Sequence, residues 1–176
     1  MSQGVKIEGF IFKKISLLNR DLIITVFSRE LGRVRILAKG IKKLTSRRGP
    51  HIETGNLISA VLSKNKEYYF LQETSLISGF SQIKKNQSKF QCLYLFLFVL
   101  EKLLPESQKE EKMYKLFKSF MVNLSKGDNY RKIMTDYLNN TTSLLGYQEK
   151  NKSKDLIEIS AFIEEIINEK LPSFNI

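Results

Sequence analysis

Residues Arg33 to Arg48 read RVRILAKGIKKLTSRR. The first seven alternate: Val34, Ile36 and Ala38 share one face, while Arg33 and Arg35 take the other. That is the period of a half-buried strand. Gly40 ends the strand, and the remainder reads as a basic loop closed by Gly49 and Pro50. The run carries Arg33, Arg35, Lys39, Lys42, Lys43, Arg47 and Arg48 with no acid among them; the nearest are Glu30 and Glu53. Cations that leave one face of a strand and continue onto its loop suit a polyanion backbone. The alternative is a solvated basic surface, the common meaning of a charge run.

Outward from this stretch, residues 1–80 read as strands joined by turns. VKIEGFIFKK places Val5, Ile7 and Ile11 on one face and Phe10 and Phe12 on the other. DLIITVFS is dense in β-branched residues, as strands are. Gly32 supplies the permissive backbone of a hairpin turn into the basic strand. A fourth strand is expected over about Leu57 to Leu62, a turn at Lys64-Asn65-Lys66, and a fifth strand over Tyr68 to Gln72. Five short strands without a crossover helix predict a small antiparallel barrel or sandwich.

After Ser78 the spacing becomes helical. Phe90, Leu93, Tyr94, Leu97, Phe98 and Leu104 recur at three and four, and CLYLFLFVL leaves almost no polar face. This predicts a central helix, covered on most sides and ended before Pro105. Two more helices are expected over about Lys109 to Leu124 and Asn129 to Leu145, the second stopped by Gly146. A polar linker, GYQEKNKSK, leads to a last helix that Asp155 and Glu158 can cap. Strands first and helices later make an α+β chain, with domains expected at 1–80 and 81–176.

Composition narrows the function classes. The chain has 176 residues, 42% of them hydrophobic, so it can bury a core. Its formal net charge is +11. Residues 1–80 hold 14 Lys and Arg against 6 Asp and Glu, whereas residues 151–176 are slightly acidic. A single cysteine excludes an internal disulfide and a Cys-based metal site. The first ten residues lack the apolar core of a signal peptide, and Cys92 to Leu100 is too short to span a bilayer. A soluble cytoplasmic protein is expected.

Enzymatic constellations are thin. His51 is the single histidine, and nothing in its spacing suggests a Ser-His-Asp site. It reads as a phosphate contact or a bystander. Cys92 opens an apolar helix and reads as core. Gly32, Gly40 and Gly49 fit neither dinucleotide nor P-loop spacing. No catalytic residue, cofactor or metal is expected. Aromatics add to the binding argument, because bases of single strands stack on exposed rings. Phe10 and Phe12 share a face with Lys6, and of the pair Tyr68-Tyr69 one ring must point away from the other. Phe10, Phe12 and Tyr68 are therefore the candidate stacking residues, although packing is the usual role of a strand aromatic.

Together these residues resemble a known family, the bacterial recombinational repair protein RecO. The resemblance lies in Asp21 opening the second strand, VFSRELGRVRILAKG from Val26 to Gly40, SRRG from Ser46 to Gly49, and LLGY at Leu144 to Tyr147. It implies an oligonucleotide-binding (OB) barrel followed by a helical domain. It also implies binding of single- and double-stranded DNA, strand annealing, and cooperation with the RecR clamp and single-stranded-DNA-binding protein to load a recombinase. Many members carry a four-cysteine zinc site after the position of Gly146-Tyr147; GYQEKNKSKDLIEIS has no cysteine, so no zinc is expected here.

Two readings of different class follow. One is a non-enzymatic DNA-binding mediator of repair. The other is an adaptor whose cations hold acidic protein tails, with an RNA-binding module as a further alternative. Backbone cations distinguish none of these, since phosphate contacts carry no base information.

Overall fold

The computed structural model describes residues 4–18, 21–41, 48–149 and 152–173. The chain forms two compact units. One comprises the residues up to Gly79 together with Pro105–Glu111, and the other Phe80–Leu104 with the residues from Lys112 onward. Besides the expected N-terminal residues, the first unit includes the strap Pro105–Glu111 from later in the chain.

The first unit is a closed five-stranded barrel. Its strands are β1 (Val5–Ser16), β2 (Leu22–Ser28), β3 (Gly32–Ala38), β4 (Leu57–Asn65) and β5 (Tyr68–Ser78). They follow one another round the barrel as β1-β2-β3-β5-β4, with β4 paired back onto β1. Every pairing is antiparallel except β3 with β5, where Ile36 lies opposite Tyr69 and Leu37 opposite Phe70. An entirely antiparallel sheet was expected. The difference has a topological cause: the chain leaves β3, re-enters beside β1 as β4, and the β4–β5 hairpin then sets β5 beside β3 in the same direction.

The alternation of β3 is realised residue by residue. Val34, Ile36 and Ala38 are buried in the barrel interior with Ile7, Ile11, Ile24, Val26, Ile58 and Leu62. Each such side chain contributes roughly 1.5–3 kcal/mol on leaving water. Gly9 faces inward as well, and a Cβ there would stand 2.6 Å from a Val26 methyl, so the crossing of β1 and β2 admits no larger residue. A register shift between Ile11 and Lys13 bends β1 midway. Asp21 secures the far end: its Oδ1 accepts the Gly40 N–H at 2.6 Å, tying the chain before β2 to the chain after β3.

The strap lies along β3. Ser107 donates its N–H to the Arg33 carbonyl at 2.8 Å, and Arg33 and Glu106 form a parallel bridge. Gly32 turns the β2–β3 hairpin at φ +71°, and a Cβ on it would meet the Gln108 carbonyl oxygen at 1.8 Å. Glycine is thus required there both by the turn and by the close approach of the strap.

The second unit holds α1 (Ser81–Lys84), α2 (Gln87–Leu103), α4 (Tyr130–Leu144) and α5 (Leu156–Ile167), with α3 (Glu111–Lys126) starting at the last strap residue. Asn86 caps α2, Asn129 caps α4, and Asp155 with Glu158 forms the reciprocal capping box of α5. Leu104, extended ahead of Pro105, ends α2. The core is aromatic. Phe96 is fully buried, with its ring centre 4.3 Å from Phe120 and 5.8 Å from Phe117, and Tyr137 packs edge-on at 5.3 Å from Phe120. The Tyr137 hydroxyl reaches Ser119 Oγ and Asn123 Nδ2 at 2.6 and 2.7 Å, so its polar tip is satisfied.

One core expectation is corrected. The spacing sets Tyr94 and Phe98 in one stripe with Leu97 on a helix expected to be covered on most sides; Leu97 is buried, but Tyr94 is exposed and Phe98 half-buried. Tyr94, Phe98 and Lys102 form the least covered stripe of α2, and the Lys102 ammonium caps the Phe98 ring at 5.3 Å. Beyond α4, Asn139 organises the connection to α5. It donates to the Lys154 carbonyl at 2.8 Å and accepts the Lys154 N–H at 2.9 Å, while Gln148 donates to both of its oxygens. This hydrogen-bonded clasp sits in the polar linker that lacks cysteines.

Candidate nucleic-acid interface

The end of β3, the end of β4 and the start of β5 converge on a basic and aromatic surface. Lys39 follows β3, and its ammonium lies 5.0 Å from the centre of the Phe70 ring. Lys64, near the end of β4, stands 5.5 Å over the Tyr69 ring. Beside Lys39 and Phe70 is a depression of about 430 Å³ whose lining also includes Leu37, Arg48, Asn65 and Gln72. Tyr69 packs inward against the barrel core, so Tyr68, the next residue along the strand, points out and is 69% exposed. Cations held over rings with one ring left open can neutralise phosphates and receive an unstacked base.

Arg48 is placed differently from Lys39 and Lys64. One guanidinium nitrogen donates to the Leu71 and Gln72 carbonyls at 2.9 and 3.3 Å, and the other to the Lys39 carbonyl at 2.9 Å. It braces the floor of the depression. His51 is likewise engaged: its Nδ1 is 2.8 Å from Thr74 Oγ1, joining the short 3-10 turn Gly49–His51 to β5.

Arg33 and Arg35 both face Glu106 of the strap, at 3.6 and 2.5 Å. The Arg35 side chain is 66% exposed and that of Arg33 only 12%. The alternation that set the two arginines on one face is therefore present, but that face carries an acid 71 residues beyond Arg35 in the chain, which no local pattern could reveal. Lys42, Lys43 and Arg47 lie outside the described residues.

Phe10 and Phe12 are corrected as stacking candidates. Both are buried. They leave the barrel interior, as their alternation with Ile11 requires, but the outer face they enter is itself packed. Phe10 stands in register with Phe27, and the Phe12 and Phe27 rings are 5.4 Å apart. Three phenylalanines on neighbouring strands lose more by facing water than Lys6 gains by keeping the face open. Lys64 and Phe70 are not among the binding residues expected from the sequence. Their signal was legible in KNKEYYF, where two lysines and a glutamate precede three rings across a hairpin turn.

Cys92 is buried in α2, and loss of solvent pushes its thiol up to about 11. With this as the one cysteine of the chain, the residues present do not fit a four-cysteine zinc site. Among the described residues no helix is long and apolar enough to cross a membrane.

Comparison with known proteins joins this geometry to a family. Residues 1–80 match the family model described as recombination protein O N terminal. The barrel is similar to the N-terminal domain of recombination protein O. RecO proteins also align beyond it. The chain is 23% identical over 144 residues to the DNA repair protein RecO of Syntrophus aciditrophicus, covering 81% of this chain and 56% of that one. It is 26% identical over 110 residues to RecO of Caldanaerobacter subterraneus, covering 62% and 44%. It is 29% identical over 102 residues to RecO of Frankia casuarinae, covering 57% and 42%. The chain thus spans about half the length of the RecO relatives it matches.

Proposed function

We propose that this protein is a DNA-binding mediator of recombinational repair. Its barrel would hold nucleic acid on the surface where β3, β4 and β5 converge. Lys39 and Lys64 would take phosphates there, Tyr68 would take a base of a single strand, and Lys42, Lys43 and Arg47 would extend the cationic track. The observation that carries the reading is the exposed Tyr68 ring at the start of a strand whose next two rings, Tyr69 and Phe70, each carry a lysine ammonium. The RecO N-terminal match and the excess of cations in residues 1–80 support it.

The mechanism needs no covalent step. Lysines and arginines release counterions from two strands while an open ring holds unstacked bases, so that complementary strands meet. In the cell the protein would anneal strands and, with the RecR clamp and single-stranded-DNA-binding protein, help load the recombinase.

The test is a set of titrations with single-stranded DNA, duplex DNA, RNA and an acidic peptide at several salt concentrations. Single-stranded DNA should bind with strong salt dependence, and Tyr68→Ala should weaken it by about 1–3 kcal/mol while touching duplex binding little. Tight peptide binding with feeble DNA binding would favour the adaptor instead.

A further inference from the structure

The contact between the strap and β3 places a carboxylate where a phosphate is wanted. Glu106 Oε1 is 2.5 Å from an Arg35 guanidinium nitrogen and 3.6 Å from one of Arg33. Two arginines converging on one oxyanion is the arrangement that recognises phosphate as readily as carboxylate. We propose that Glu106 is a resident substitute for a nucleic-acid phosphate, which keeps Arg35 occupied until a strand displaces it. The proposal rests on the DNA-binding reading above and adds a regulated subsite to it.

Three observations carry the argument. First, the strap is held to β3 independently of its carboxylate, through the Ser107 N–H to the Arg33 carbonyl at 2.8 Å and the close seat of Gln108 over Gly32. Glu106 can therefore let go of Arg35 while the strap stays in place. Second, the two arginines differ in access. Arg33 is nearly covered, whereas Arg35 is 66% and Glu106 44% exposed, so a phosphate can reach Arg35 and exchange with the carboxylate in contact with water. Third, an ion pair this exposed is weak, so exchange is cheap and the carboxylate lowers affinity only a few-fold. Arg33 then serves to anchor Glu106, and Arg35 is the arginine that changes partner.

The consequence is a graded brake. Weak or short polyanions would unseat Glu106 less completely, whereas a strand already engaged at Lys39 and Lys64 would present its next phosphates at high local concentration.

The experiment is Glu106→Gln in the full chain, read by titration of single-stranded DNA across a salt series. Gln keeps the size and hydrogen bonding of the side chain and removes its charge. Affinity should rise about two- to five-fold, the strength of one exposed pair. The log–log salt slope should steepen by about 0.7, one further phosphate engaged. Glu106→Ala, measured beside it, should show the same gain, and Arg35→Gln on the Glu106→Gln background should abolish it. Thermal melts of each variant verify the fold. Wild-type binding that Glu106→Gln and Glu106→Ala leave unchanged or weaken would overturn the inference while the DNA-binding reading stands. If neither wild type nor variants bind DNA even at low salt, both fall together.

Discussion

The Arg48 guanidinium donates to the Lys39 carbonyl oxygen at 2.9 Å. Through its second nitrogen it also reaches the carbonyls of Leu71 and Gln72, so one planar group joins the end of β3 to β5 beside their parallel pairing. An arginine that reads in the sequence as part of a basic loop thus braces two strands.

Arg48→Ala should therefore destabilise the protein, by roughly 1–3 kcal/mol for carbonyls left without their charged donor. Arg48→Lys restores the charge but not the planar fork, and should recover only part of the loss. Urea denaturation of the three proteins measures this. Equal midpoints would reduce Arg48 to a surface cation.

In the helical unit, burial separates neighbours on α2. Phe96 is fully buried among Phe117, Phe120 and Tyr137, while Phe98 is half-buried beneath Lys102. Phe96→Ala should cost about 3–5 kcal/mol and Leu97→Ala about 2–5. Phe98→Ala should cost clearly less than Phe96→Ala. Thermal or chemical melts decide the order.

Cys92 gives the protein an alkaline weakness. Burial raises its thiol from 9.0 to about 11, so the native state keeps a proton that the unfolded chain gives up. The unfolded state binds fewer protons within that window, and stability must fall as pH rises through it. Below pH 9.0 the contribution is fully present. Denaturation midpoints between pH 8 and 11 should decline, and Cys92→Ala, though less stable at neutral pH, should lose the part of the decline due to the thiol. A Cys92 that reacts with thiol reagents in the native protein as fast as in urea would contradict its burial.

Much of the fold was legible because it is written in local periods. The alternation of Val34, Ile36 and Ala38 located β3 and its inward face, the β-branched run of Leu22 to Ser28 located β2, and Asp155 with Glu158 marked the start of α5. What escaped was set by distance along the chain. The parallel seat of β5 beside β3 depends on where β4 finds its partner. The strap reaches β3 from beyond α2, and Glu106 on Arg35 follows from that return. Phe10 and Phe12 escaped for another reason: alternation tells which side of a strand a ring leaves from, and nothing of what packs there. Of the candidate interface, Lys39, Lys64 and Tyr68 are legible in the sequence, whereas the seat of Lys64 over Tyr69 needed the β4–β5 register to bring the two opposite.

The central claim is that phosphates bind where β3, β4 and β5 converge, and the salt dependence of the Lys39→Ala, Lys64→Ala double variant tests it most directly. Both lysines lie at the surface, so the fold should be little affected. If each engages one phosphate of a single strand, the log–log slope of affinity against salt should flatten by about 1.4 units. The loss should be nearly the same for any base sequence, because phosphate contacts read none. Annealing of complementary strands should slow with it. A double variant that binds and anneals DNA with the wild-type slope would place the nucleic acid elsewhere on the molecule, or nowhere.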